Sequence, residues 1–122
     1  MSQNAKKTDQ DLAYEVSLKI DGFSEPNLEM AKRLHEIITS ANSSLRPRLW
    51  YGMPGYALSK STPVLIFFRE DKYMTFGLTE SLTLAPKSGE LSKLIPCAWF
   101  FTDLDNETEK SIYSIVRDLD LK

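Results

Sequence analysis

Apolar residues recur at helical spacing along the first third of the chain. Leu12, Val16 and Ile20 stand four apart with Ala13 beside them, which predicts a helix over Asp9 to Ile20. Asp21-Gly22-Phe23-Ser24 breaks it, because glycine adopts the angles that end helices and Ser24 suits the N-cap of the next element. From Pro26 to Ala41, the residues Met30, Leu34, Ile37, Ile38 and Ala41 line one face. Pro26 falls in the first turn, where its missing N–H is harmless. Asn42-Ser43-Ser44 closes this second helix.

The pattern then changes. Ten of the thirteen aromatic residues lie between Trp50 and Phe101, in a stretch broken by Pro54, Pro63, Pro86 and Pro96, so the middle of the chain predicts short strands joined by turns. Leu49 to Leu58 reads as one irregular strand, with a bulge or bend expected at Pro54-Gly55. Val64 to Phe68 and Tyr73 to Leu78 flank the polar segment Arg69-Glu70-Asp71-Lys72 and predict an antiparallel hairpin. Leu82 to Ala85 is a weaker strand, Leu91 to Leu94 a short helical turn, and Ile95 to Phe101 the last strand.

A third helix is predicted over Asp103 to Leu119. Asp103 or Asp105 can cap it, Glu107 and Glu109 complement its positive end, and Ile112, Ile115, Val116 and Leu119 form its apolar stripe. The expected fold class is therefore α+β, a two-layer domain with an antiparallel sheet packed against N- and C-terminal helices. In it Leu34, Ile37, Ile38, Ile112, Ile115 and Val116 meet the apolar side of the sheet. Residues 1–8 are expected to form a flexible polar tail and 9–122 a single domain, since 122 residues with no repeat or linker leave little room for a second core.

Composition narrows the function classes. Hydrophobic residues make up 42% and charged residues 26%, the proportions of an ordinary globular chain. A net charge of −2 provides no general field for nucleic acid or an anionic membrane, so neither is expected as a partner. The apolar run Val64 to Phe68 falls far short of the roughly 20 residues that span a bilayer. Lys6 and Lys7 are followed by no apolar segment of a secretory signal, so a cytoplasmic location is expected. Cys97 is the only cysteine, which excludes an internal disulfide and any multi-cysteine metal site within one chain.

One segment is more specific: Arg48-Leu49-Trp50-Tyr51-Gly52-Met53-Pro54-Gly55-Tyr56, preceded by an amphipathic helix and followed by a hairpin. Its Tyr51-Gly52-Met53-Pro54 core resembles the aromatic-Gly-Met-Pro signature of the YdhG-like domain-of-unknown-function family. These are small bacterial proteins that include a frataxin-like iron chaperone. The likeness extends from about Asp9 to Leu119 in element order. It implies a fold more than an activity. For the subset that carries iron it implies carboxylates clustered on a helix as hard oxygen ligands.

Three sets of residues are candidates for chemistry. Glu25, Glu29 and Glu36, interleaved with Lys32, Arg33 and His35 on the second helix, are the candidate iron ligands, although solvated helix faces carry the same pattern. Arg46, Arg48 and Lys60 flank Trp50, Tyr51, Met53, Pro54 and Tyr56. A bend at Pro54-Gly55 would turn these into a cleft with aromatic walls and a cationic rim, suited to a small anionic ligand. The plainer alternative packs the aromatics into the core. Asp103, Asp105, Glu107 and Glu109 are spaced like calcium ligands, but a calcium loop needs Gly and Glu where Thr108 and Ser114 stand.

His35 is the only histidine and Cys97 is expected in a strand as a buried, inert thiol, so no nucleophile pair is indicated. No phosphate loop, serine elbow or metal-ligand spacing occurs. The chain is therefore expected to be a non-enzymatic binding protein, either a frataxin-like iron chaperone or a holder of a small anion. The alternative is a protein–protein interaction module or homo-oligomeric domain, a homodimer included, that uses an exposed sheet edge or aromatic patch.

Overall fold

A computed structural model describes residues 6–121. The first helix, α1 (Asp9–Asp21), buries Leu12, Val16 and Ile20 as the spacing predicts. Thr8 caps it through a reciprocal capping box with Asp11, and Lys7 pairs with Glu15, so these two residues belong to the domain. Of the expected flexible tail, residues 1–5 lie outside the described residues. Gly22 follows α1 at φ −85°, open to any residue.

The second helix, α2 (Asn27–Ala41), buries Ala31, Leu34, Ile37 and Ile38. Its cap differs from expectation, because Ser24 makes no side-chain cap and Pro26 takes the N-cap position. The Glu25 carboxylate instead accepts from the backbone N–H of Glu29 at 3.2 Å. Glu70 accepts from the Ser24 N–H at 3.2 Å and from the Asn27 side-chain amide at 2.6 Å, tying this helix start to the sheet.

The predicted irregular strand is two strands. β1 (Arg46–Trp50) and β2 (Met53–Ala57) pair antiparallel around the two-residue turn Tyr51-Gly52, with both turn residues at positive φ, 51° and 75°. Such turns match the twist of a hairpin and need residues tolerant of left-handed angles, which Gly52 supplies. The chain therefore reverses at Tyr51-Gly52, while Pro54-Gly55 lies within β2. Pro54 pairs only with β1, since the ladder to the next strand begins at Gly55 and shifts register between Tyr56 and Ala57.

Then come β3 (Val64–Glu70) and β4 (Met74–Leu78), the expected hairpin, and β5 (Ala98–Phe101). The strands are all antiparallel and adjacent in sequence order, β1-β2-β3-β4-β5, so β1 and β5 are the edges. Residues 83–97 form neither the expected strand at Leu82 to Ala85 nor the helical turn at Leu91 to Leu94. Leu82 is buried in the core, and most of the segment between it and β5 is exposed. The last helix, α3 (Asn106–Arg117), is capped by Asp105 and buries Ile112 and Val116.

All three helices contribute to one core, which they share with the alternate sheet residues Tyr56, Ile66, Phe68, Met74, Phe76 and Leu78. That makes two layers, and leaves the opposite sheet face without a helix. Arg48, Gly55, Phe67, Gly77 and Ala98 form one cross-strand row on that open face. No helix among the described residues is long and apolar enough to cross a membrane.

Candidate binding surface

The eight residues expected to form an anion cleft are divided among four places, with Trp50 on the open sheet face against Phe67 at 5.1 Å. Tyr51, Met53 and Pro54 line a cleft of about 470 Å³ at the turn end of the β1–β2 hairpin, together with Phe23, Arg69 and Glu70. Arg46, Arg48, Trp50, Tyr56 and Lys60 do not line it. Arg46 pairs with Asp9 at 3.7 Å and donates to the carbonyl of Ser43. Arg48 donates to the carbonyl of Ser59 at 2.8 Å, and Lys60 to that of Lys7 at 3.1 Å. Burial lowers the pKa of Arg48. The cationic rim is thus occupied with backbone carbonyls and Asp9, and along the strand Arg48 and Arg46 stand about 7 and 13 Å from Trp50 at the usual rise per residue.

Tyr56 faces the helices and is fully buried. Its hydroxyl lies 2.8 Å from His35 Nδ1, and burial raises the hydroxyl's pKa well above the ordinary range. Burial also lowers the pKa of His35, against the opposing charge of Glu36. A neutral imidazole accepting the tyrosine proton satisfies both groups, so this pair is core structure rather than a cleft wall.

The candidate iron ligands are likewise each engaged locally. Glu25 accepts at the helix start, Glu29 lies 4.0 Å from Lys32, and Glu36 lies 3.8 Å from Arg33. Arg33 reaches on to Glu109 of α3 at 2.8 Å. Among the described residues, no group of three His, Cys, Asp or Glu side chains is placed to hold a metal ion. In the cleft at the hairpin turn, Lys19 and Arg69 face Glu70 and Asp71, and Arg69 pairs with Asp71 at 2.8 Å, so that cleft favours neither sign of charge.

The strongest unsatisfied surface lies at the other edge. Trp99 and Phe101 of β5 face the helices, where Trp99 stacks on Phe76 at 5.6 Å, while Ala98 and Phe100 face the open side. Phe100 is 69% exposed and stacked on Tyr73, and Leu91 and Leu94 just before β5 are 97% and 83% exposed. Between β5 and α3 runs a groove of about 420 Å³ lined by Phe76, Trp99, Phe101, Ile112 and Ile115, with Glu107 at its side. Cys97, expected to be buried, is exposed, as is the irregular segment Leu91 to Pro96 that precedes it.

The hydrogen-bonding state of this edge is set by the ladder. Leu78 N–H donates to the carbonyl of Cys97, so in antiparallel alternation Trp99 and Phe101 also turn their backbone groups towards β4. The N–H and C=O groups of Ala98 and Phe100 consequently point away from the sheet. The strand is short, at four residues, but carries no charge, no proline and no bulge, which are among the devices by which natural edges avoid pairing. A last strand was legible in the sequence over Ile95 to Phe101, of which Ala98–Phe101 forms β5. That it forms an edge with an open groove beneath it was not, because both depend on where α3 comes to rest.

Comparison with known proteins finds no matching family model, no matching curated protein and no matching solved structure.

Proposed function

We propose that the chain is a non-enzymatic protein-interaction module that binds an extended segment by strand addition along β5. The observation that carries this reading is the uncharged, uncovered β5 edge, with Ala98 and Phe100 presenting free backbone groups directly beside the apolar groove to α3. An added strand alternates its side chains. Every second one enters the groove between Trp99, Phe101, Ile112 and Ile115, and the others lie beside Phe100 on the open face. Main-chain hydrogen bonds supply affinity and the groove supplies selectivity.

Panning displayed random octapeptides against the folded protein tests the reading. Selected peptides should alternate apolar residues, and on titration should shift the amide resonances of Ala98 to Phe101 and of Ile112 and Ile115. Selection of no peptide, or of peptides whose shifts map to the Tyr51–Pro54 cleft instead, would overturn it.

A further inference from the structure

Resting on that reading, we infer that the segment which completes the β5 edge is β5 of a second copy of this chain. The outward groups restrict the register, because in an antiparallel pair the residues that exchange hydrogen bonds must both point outward. Of the alignments this allows, the one that overlaps the four-residue strand most fully sets Ala98 against Phe100 of the second copy and Phe100 against its Ala98. The arrangement is its own mirror in sequence, as a two-fold axis requires. Trp99 then lies on that axis opposite Trp99 of the second copy.

Side-chain sizes agree with this register. The small Ala98 lies opposite the large Phe100 on the open face, twice, so each Phe100 ring, 69% exposed in the single chain, gains a flat seat on its neighbour. On the other face the two Trp99 rings meet above the two β5–α3 grooves. An axis perpendicular to the sheet puts both helical layers on the same side, making one ten-stranded sheet from two of five strands.

An antiparallel second copy also brings the segment before β5 of each chain, with Lys93 and the 83% exposed Leu94, towards the acidic segment after β5 of the other, where Asp103, Asp105 and Glu107 stand. Charge is thereby complementary on both sides of the axis. A foreign peptide would have to supply these complements, whereas the chain already carries them.

The test is the mass of the full chain by sedimentation across concentrations, for the wild type and for Ala98→Pro. Because the Ala98 N–H points outward, proline there removes no hydrogen bond within the chain and is compatible with an edge strand. The wild type should approach twice 13.9 kDa as concentration rises. Ala98→Pro should stay monomeric with an unchanged far-ultraviolet spectrum, its association weakened at least tenfold. Phe100→Lys, which places a charge on an exposed position, should do the same if the proline variant fails to fold.

A variant pair that dimerises as the wild type does would overturn the proposal. So would a wild type monomeric at every concentration. If that monomer still takes displayed octapeptides on β5, strand addition stands and only self-pairing falls; if it takes none, both fall.

Discussion

Gly77 lies beneath an aromatic ring, and replacing it tests the packing of the open sheet face. A Cβ built on Gly77 would meet Phe67 Cζ at 2.5 Å and Cε1 at 2.6 Å, where carbon atoms ordinarily sit about 3.5–4.0 Å apart. Phe67 must therefore move by roughly 1 Å. Its ring is half-buried and leans on Trp50 at 5.1 Å, so it can swing towards solvent. Overpacking costs about 1–3 kcal/mol, and a ring that can move belongs near the lower end. Glycine within a strand is itself about 0.5–1 kcal/mol worse than alanine, which offsets part of that cost.

Gly77→Ala should accordingly destabilise the protein by about 0.5 kcal/mol net, a fall of about 2 °C in Tm for a chain of this size. In a Phe67→Ala background the obstacle is gone, and Gly77→Ala should stabilise by about 0.5–1 kcal/mol. Urea unfolding followed by circular dichroism at one protein concentration measures all four variants. It avoids tryptophan fluorescence, which Phe67 perturbs directly through Trp50. A Gly77→Ala effect of the same sign and size in both backgrounds would refute the account, because independent sites add to within about 0.5 kcal/mol.

Other outcomes derive from the same geometry. Burial lowers the pKa of His35 below its ordinary 6.5, so the unfolded chain takes up a proton that the native protein resists. The stability difference between wild type and His35→Gln should be flat above about pH 6.5 and shrink as the pH falls below it, as measured by unfolding at a series of pH values. A difference that grows on acidification would contradict the buried neutral imidazole. Cys97 should react to completion with a thiol reagent in the native monomer, without denaturant, because it is exposed; protection there would place it inside the fold. Ferrous iron at micromolar concentration should leave the resonances of Glu25, Glu29 and Glu36 unshifted, since each engages a local partner; saturable shifts abolished by Glu29→Gln would reinstate the iron site.

The helices were legible because each is amphipathic over three turns or more. Leu12, Val16 and Ile20, and Leu34, Ile37 and Ile38, declare their buried faces by spacing alone. The β3–β4 hairpin was equally plain, its polar turn lying between two apolar runs. The β1–β2 hairpin was hidden, because Trp50 and Tyr51 continue an aromatic run across the reversal and Pro54 draws attention away from Gly52, where the left-handed angle occurs. The expected anion cleft failed for a related reason. Period-two alternation sends Tyr56 to the helix-covered face and Trp50 to the open one, and a single irregular strand could not reveal that division. The β5–α3 groove depends on contacts between residues far apart in the chain, such as Phe76 and Ile112, which no local pattern encodes.

The most direct test of β5 as the binding edge uses the protein's own cysteine. In the two-fold register Cys97 lies opposite Phe101 of the second copy, so the two Cys97 Cα atoms stand four residues apart along the strands, about 14 Å. Nitroxides attached there should couple dipolarly, with a narrow distribution at roughly 15–25 Å once the tethers are included, and the coupling should vanish on dilution and in Ala98→Pro. Labels that remain uncoupled at concentrations where the mass has doubled, or that report a broad separation far beyond this range, would show that the chains meet elsewhere.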